Sequence, residues 1–184
     1  MSSEITRLTL TEVAAAIRTR KLSSLEATQA CIAQAERVQP RINCFISLEA
    51  EEALKAAKRA DRALKRGTKV GLLHGVPLAH KDMYYRAGEI STGGSKILRD
   101  YRPSVTATVV ERLYGAGAVC LGRLNMAEFA ANPTGHNEHW GHCRNPWNPD
   151  HITGGSSSGS GAARESAPCT VCRSRTKTCT TGPG

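Results

Sequence analysis

From Val70 onward, short apolar runs alternate with a segment of helical pattern, and this alternation limits the possible folds more than any other feature. The run "GVPLAHKDM" predicts a strand, with a proline near its start as strands tolerate, and "AVCLGRLN" predicts a second strand. Between them, "TATVVERLYGAG" predicts a helix. Strands separated by a helix pair in parallel through a crossover connection. The sequence therefore predicts an α/β fold, in which a helical N-terminal region precedes the start of a mostly parallel sheet flanked by helices.

Local signals place the ends of these segments. Thr106 is the expected cap of the helix, which closes near Gly115 or Gly117. "MAEFAA" predicts a short helix, and "NPTGHNEHWGHCRNPWNPD" predicts a long polar loop.

The region before Val70 predicts three helices, two of which begin at capping boxes. Thr9-x-x-Glu12 opens the first helix, and Ser23-x-x-Glu26 opens the second. Pro40 is expected to end the second helix, since proline lacks the backbone N–H that a helix interior needs. "RINCFIS", which follows, is compatible with either a strand or a connector.

The third predicted helix runs from about residue 47 to 66 and stops at Gly67. It holds a cluster of six cations, although the formal net charge of +9 is otherwise scattered along the chain. Its cations lie at helical spacing beside alanines and leucines, which indicates the solvated face of an amphipathic helix. With no nucleic-acid motif beside them, direct binding of nucleic acid is not expected. The cations are Lys55, Lys58, Arg59, Arg62, Lys65 and Arg66.

The sequence predicts a cytoplasmic protein with no membrane partner. No apolar run approaches the length of about 18 residues that a membrane span needs. The N-terminus "MSSEITRLTLTEV" lacks the basic start and apolar core of a signal peptide. The seven cysteines are odd in number, so a disulfide framework is not expected. Cys31, Cys44 and Cys120 are interpreted as small buried apolar residues.

The run "ITGGSSSGSGAA", residues 152–163, has several possible functions. A flexible linker has this composition, but linkers rarely follow a proline-punctuated loop and lead into a small-residue segment. A phosphate-binding loop needs a lysine after its glycines, and none follows. A nucleophile elbow needs a histidine later in the chain, yet His151 is the last one.

A serine can also be activated by a neutral lysine. Lys81 is the candidate, because it lies inside the apolar, proline-framed run "HGVPLAHKDM". Its neighbour Asp82 could orient it. The alternative is a surface lysine at the end of a strand.

These two segments resemble the amidase signature family of amide hydrolases. The family pattern G-[IV]-P-x-x-x-K-D is matched by residues 75–82, and G-G-S-S-x-G is matched by residues 154–159. "TATVVERLYGAGAVCLGRLNMAEFA" and "NPWNP" resemble the sequence that joins the two motifs in the family. The resemblance covers roughly residues 8 to 163 and implies the N-terminal part of the amidase signature fold.

The resemblance also implies roles for individual residues. Lys81 would be the neutral base, and Ser156 the bridging serine of a Ser–Ser–Lys triad, held by a cis peptide bond after Gly155. The attacking serine would lie later, on a loop reading G-[ST]-D-x-G-G-S whose amides form the oxyanion hole. Attack would give an acyl-enzyme that water releases. Supporting positions would be Ser157, Asp82, Gly154 and Gly155.

The sequence contains no such nucleophile loop. Residues 164–184 hold no Leu, Ile, Met or aromatic residue, and Thr180, near the expected position, has no matching neighbours. We predict family sequence over residues 1–163 and a non-family tail over 164–184, so that the chain as written is inactive. The tail is either disordered or, as we favour, the product of a frameshift, mis-splicing or premature stop. The coding DNA, read in all three frames across codon 163, distinguishes these accounts.

Two groups of residues have metal-like spacing. Cys169-x-x-Cys172 with Cys179 supplies three thiols but no fourth ligand, and a histidine group lies in the polar loop. We expect neither group to hold zinc, and we expect no cofactor. The loop group comprises His136, His139, His142 and Cys143.

Three functions therefore compete. The first is an amidase that hydrolyses the carbon–nitrogen bond of a small-molecule amide. The second is the glutaminase (A) subunit of an aspartyl/glutamyl-tRNA amidotransferase, which would bring partner subunits. The third, outside enzymology, is a metal- or nucleic-acid-binding module formed by the basic, cysteine-rich tail.

Overall fold

The computed structural model describes residues 2–166. Helices and strands alternate after a helical start, which confirms the α/β class. The elements are α1 (Ser2–Ile5), α2 (Leu10–Arg18), α3 (Ser24–Ile42), β1 (Phe45–Leu48), α4 (Ala50–Lys65), β2 (Pro77–Lys81), α5 (Thr108–Gly115), β3 (Val119–Leu124), a 3₁₀ turn (Glu128–Ala130) and α6 (Ser158–Ser166).

Both predicted capping boxes form, and they begin α2 and α3. The prediction that Pro40 ends α3 is wrong, because the helix continues to Ile42. Pro40 lies in the last turn, where the missing N–H removes only one intrahelical bond. The helix ends instead at Asn43, which adopts the left-handed conformation at φ 52°.

The segment between α3 and α4 is a strand, which settles the choice that the sequence left open. As a result, α4 begins at Ala50 rather than near residue 47. It ends at Lys65, and Gly67 follows at φ +74°. The basic residues along α4 are exposed, as its amphipathic pattern predicts.

The sheet has the strand order β1-β3-β2. β2 pairs with β3 in parallel, with Lys81 opposite Leu124, and β1 pairs with β3 antiparallel. The connection from β2 to β3 contains α5, as the crossover argument requires. The parallel pair therefore carries Lys81 at the end of β2, beside the end of β3.

Two local predictions in this region are wrong. Thr106 does not cap α5, whose N-cap is Ala107 without a side-chain bond. The Thr106 hydroxyl instead accepts a hydrogen bond from the Ala87 N–H at 3.0 Å. The segment "MAEFAA" forms only a 3₁₀ turn, because Phe129 and Ala130 adopt positive φ angles of 48° and 58°.

The main core lies between the sheet and helices α3, α4 and α6. Ala162 and Ala163 of α6 are fully buried in it, so the small-residue run after the serines is packed and is not a linker. A smaller cluster of Val13, Ile17, Ala27 and Val76 joins α2 to α3 and to the start of β2.

Helix α6 continues past the predicted boundary at residue 163 as far as Ser166, the last described residue. The Gln34 side-chain amide donates to the Ser166 carbonyl oxygen, which ties this end to α3. The rest of the predicted tail lies outside the described residues, including Cys169, Cys172, Cys179 and Thr180. None of the helices in residues 2–166 has the length and apolar content to cross a membrane.

Candidate active site

The lysine and the serines that the sequence singled out lie together. The Lys81 amine donates to the Ser156 hydroxyl at 3.1 Å and to the Ser157 hydroxyl at 3.1 Å. Lys81 is the last residue of β2, and the serines immediately precede α6. The structure thus brings the strand end and the glycine/serine loop within hydrogen-bond reach, although 75 residues separate Lys81 from Ser156.

Glycines shape the loop that carries the serines. Gly154 and Gly155 both have φ +74°, in the left-handed region that favours glycine. The Gly155 N–H donates to the Pro133 carbonyl oxygen, and the Ser156 carbonyl oxygen accepts from the Ala127 N–H at 3.2 Å. These contacts fix the loop against the segment that follows β3.

The expected cis peptide between Gly155 and Ser156 is absent, since none of the peptide bonds described is cis. A cis bond before a residue other than proline costs about 3–4 kcal/mol, so it persists only where contacts with the surrounding structure offset that free energy. Here the two successive glycines at positive φ turn the chain, and Ser156 meets Lys81 across a trans bond.

The surroundings of Lys81 favour its neutral form. Burial lowers the pKa of the Lys81 amine, because a charged ammonium loses hydration there. Ser157, which contacts the amine, directly precedes α6, so the amine lies close to the start of this helix. A helix N-terminus carries partial positive charge, which disfavours a nearby cation.

Asp82 does not make the orienting contact with Lys81 that its position suggested. Asp82 is the first residue after β2, and its carboxylate faces Arg123 and Thr92 instead. Arg123 Nη1 lies 2.8 Å from Asp82 Oδ1. The Thr92 N–H donates to Oδ2 at 3.0 Å, and the Thr92 hydroxyl donates to the same oxygen. Asp82 therefore joins the end of β2 to β3 and to the following loop.

Sequence reasoning missed several polar residues that frame the site. Arg123, a charged residue inside the apolar run "AVCLGRLN", was the available signal for a buried ion pair. Asn125 is fully buried, and its side-chain amide donates to the carbonyl oxygens of Asn43 at 2.9 Å and Gly141 at 3.0 Å. A single asparagine after a strand carries no pattern that predicts this bridging.

The candidate metal ligands of the polar loop, His136, His139, His142 and Cys143, make other contacts. The rings of His136 and His142 stack with their centroids 4.5 Å apart, and His142 Nδ1 accepts from the Asn137 N–H at 3.0 Å. His139 Nε2 lies 3.0 Å from Glu128 Oε1. Within residues 2–166, no group of three or more His, Cys, Asp or Glu side chains is arranged to hold a metal ion.

The lowered pKa of Lys81 predicts a pH-dependent stability. Between the pKa of the folded state and the ordinary value, the unfolded chain binds more protons, so the free energy of unfolding rises with pH. We expect this rise in the wild type and its loss in Lys81→Met, measured by urea unfolding from pH 7 upward.

Only the difference between the two proteins isolates Lys81, since other groups titrate in the same range. Burial raises the pKa of the Cys44 thiol to about 12, which lowers stability as pH rises. Parallel pH curves for wild type and Lys81→Met would contradict the lowered pKa of Lys81.

Comparisons with known proteins identify the family. A family model described as Amidase matches residues 26–164. The A subunit of glutamyl-tRNA(Gln) amidotransferase from Lachnospira eligens is 44% identical over 161 residues, which cover 88% of this chain and 34% of that protein. The protein of the same name from Azotobacter vinelandii is 44% identical over 157 residues, covering 85% and 32%.

Solved structures agree with this match. A structure of fatty acid amide hydrolase superposes with a TM-score of 0.84 at 32% identity, covering 88% of this chain and 29% of that one. A bacterial aryl acylamidase of the amidase signature enzymes superposes with a TM-score of 0.80 at 30% identity, covering 85% and 33%. The chain spans about a third of the length of the curated relatives that it matches. The match over residues 26–164 shows that the chain belongs to the amidase signature family.

Proposed function

We propose that Lys81 and Ser156 are the base and the proton relay of an amide hydrolase. The observation that supports this most strongly is the 3.1 Å contact between the Lys81 amine and the Ser156 hydroxyl, at a lysine whose charge is disfavoured by burial. A buried neutral amine next to a hydroxyl can accept its proton. Ser157, also 3.1 Å from the amine, keeps Lys81 directed at the loop.

The proton transfers follow from this geometry. A nucleophilic hydroxyl gives its proton to Ser156, and the Ser156 proton passes to the free electron pair of Lys81. The nucleophile attacks the amide carbon, and the lysine returns the proton through Ser156 to the leaving nitrogen. Water then releases the acid from the acyl-enzyme.

The nucleophile and the oxyanion donors would come from outside the described residues. No G-[ST]-D-x-G-G-S motif occurs in the 184-residue sequence. We therefore propose that this chain supplies two members of the triad, and that a segment equivalent to the later part of its relatives supplies the third.

Two substrate classes fit the same chemistry. The first is a small or aryl amide, as the superposed aryl acylamidase suggests. The second is glutamine, whose carboxamide would give ammonia for a tRNA-linked acid in a complex with partner subunits. The 44% identity to the A subunits of glutamyl-tRNA(Gln) amidotransferases, against 30% to the aryl acylamidase, favours glutamine.

Two chimeras test this proposal. Residues 1–164 are joined to the remaining part of either the Azotobacter vinelandii amidotransferase protein or the aryl acylamidase, and ammonia release from glutamine and aryl amides is measured. We expect the amidotransferase chimera to release ammonia from glutamine, because this chain is 44% identical to that protein over 157 residues. The 184-residue chain should release none, since it lacks the nucleophile.

The outcomes separate the alternatives. Activity of the aryl acylamidase chimera alone would favour the small-amide hydrolase. Turnover by the 184-residue chain would contradict the absence of a nucleophile. A folded amidotransferase chimera with no activity on any amide would contradict the proposed function.

A further inference from the structure

Asp82 presents an electrostatic problem for a lysine that acts as a base. It directly follows Lys81, and its carboxylate is fully buried. A buried negative charge near a lysine favours the ammonium form, because charges interact more strongly away from water. Some other group has to offset this charge if Lys81 is to lose its proton near neutral pH.

Arg123 is placed to offset it. Its Nη1 donates to Asp82 Oδ1 at 2.8 Å, and its side chain is only 12% exposed. Arg123 Nε donates to the Ser47 hydroxyl at 3.0 Å, which fixes the guanidinium from the side of β1. The second carboxylate oxygen is occupied by Thr92, so Asp82 is paired at both oxygens.

The other charges near the end of β2 are also paired. Glu49 Oε1 lies 3.7 Å from Arg123 Nε, and Glu49 Oε2 accepts from Arg86 at 2.9 Å. Arg86 also pairs with Glu89, which is half exposed. Burial lowers the pKa of the His80 ring, beside Lys81, which favours its neutral form. Arg123 is thus the cation that binds the carboxylate next to Lys81.

We propose that Arg123 is a positioning residue for the base: by binding the Asp82 carboxylate, it neutralises the buried negative charge one residue from Lys81 and lets Lys81 give up its proton. This inference rests on the proposed role of Lys81 as a neutral base. Asp82 then has a structural role although it does not contact Lys81. Its carboxylate joins the end of β2 to β3 and to the following loop, and Arg123 offsets its negative charge.

Direct titration of Lys81 tests the inference without any need for activity. The 184-residue chain is labelled with ¹³C at the lysine ε carbons, and the Lys81 signal is identified by its loss in Lys81→Met. We expect Arg123→Met to raise the titration midpoint of Lys81 by about one pH unit, because the Asp82 charge is then uncompensated. The double variant Arg123→Met/Asp82→Asn should return the midpoint to the wild-type value or below it.

The double variant distinguishes an effect of charge from structural damage. It removes the Asp82 carboxylate as well as Arg123, so damage would grow, whereas the charge argument expects the Lys81 midpoint to be restored. An unchanged midpoint in Arg123→Met, or no restoration in the double variant, would overturn the inference. Arg99→Met is the control, because Arg99 pairs with exposed Asp100 and is itself 71% exposed. A shift in Arg99→Met as large as that in Arg123→Met would also overturn it.

Asp82→Asn keeps the inference testable if Arg123→Met does not fold. This variant removes the carboxylate that Arg123 binds at 2.8 Å, so the Lys81 midpoint should fall, and an unchanged or higher midpoint would overturn the inference. A wild-type midpoint at the ordinary lysine value would contradict the proposed function itself. A low wild-type midpoint that does not respond to Arg123 would contradict only the inference drawn here.

Discussion

Lys81→Ala is expected to lower ammonia release from glutamine by the amidotransferase chimera about a thousandfold. Without the amine, the proton of the nucleophile has no base to accept it at the end of the relay. Ser156→Ala should have a similar effect, because it removes the link between the nucleophile and the amine, which lies 3.1 Å from the Ser156 hydroxyl. The measurement is the initial rate of ammonia release under saturating glutamine.

The two substitutions act on one unit, so their effects should not add. The double variant should be about as slow as either single variant, since residues of a catalytic triad are strongly non-additive. Lys55→Ala is the matched control, because Lys55 is an exposed lysine whose amine pairs with Glu52 at 2.7 Å. It should keep the parent rate. Activity that survives Lys81→Ala would contradict the lysine relay.

Gly159→Ala is expected to destabilise the chain by about 3 kcal/mol, which corresponds to a drop in Tm of about 6–12 °C for a chain of this size. A methyl group at Gly159 would lie 2.5 Å from the backbone of Asn125 and from the Cys44 carbonyl oxygen. Backbone atoms cannot move aside as a flexible side chain can. Helix α6 would have to shift, and the 3.0 Å bond from the Gly159 N–H to the Asn125 carbonyl oxygen would be lost.

Gly161→Ala is the control in the same helix. Nothing lies within 4 Å of a methyl group at Gly161, and alanine favours the helix over glycine by about 0.5–1 kcal/mol. We therefore expect a small gain in Tm, measured by thermal unfolding under identical conditions. Equal stability of the two variants would show that α6 does not pack closely on Asn125.

The fold class and most elements could be predicted from the sequence because their signals are local. Capping boxes at Thr9 and Ser23 depend on residues three apart, and the helices begin where these boxes place them. One failure came where a longer-range contact decided the outcome. Thr106 bonds to Ala87, across the chain, and not to the helix beside it.

In the candidate site, too, contacts signalled by sequence motifs could be predicted and other contacts between distant residues could not. The pairing of Lys81 with Ser156 followed from two motifs in order, and the structure brings these residues together. The partner of Asp82 could not be predicted, because Arg123 lies on a different strand and the register between the strands brings the two side chains into contact. Neighbours in sequence suggested Lys81 as that partner, whereas the two carboxylate oxygens of Asp82 are bound by Arg123 and Thr92.

The order of the elements has a consequence for how the protein is made. Helix α6 lies last among the described elements, and its contact with Lys81 spans 75 residues of chain. Contacts this distant in sequence form slowly, because a long loop has to close before they contribute any energy. During synthesis, α3, α4 and the three strands emerge from the ribosome before α6. Until α6 docks, the surface around Cys44 and Asn125 stays exposed to water. The Lys81 amine therefore stays more hydrated, and less inclined to lose its proton, until α6 docks.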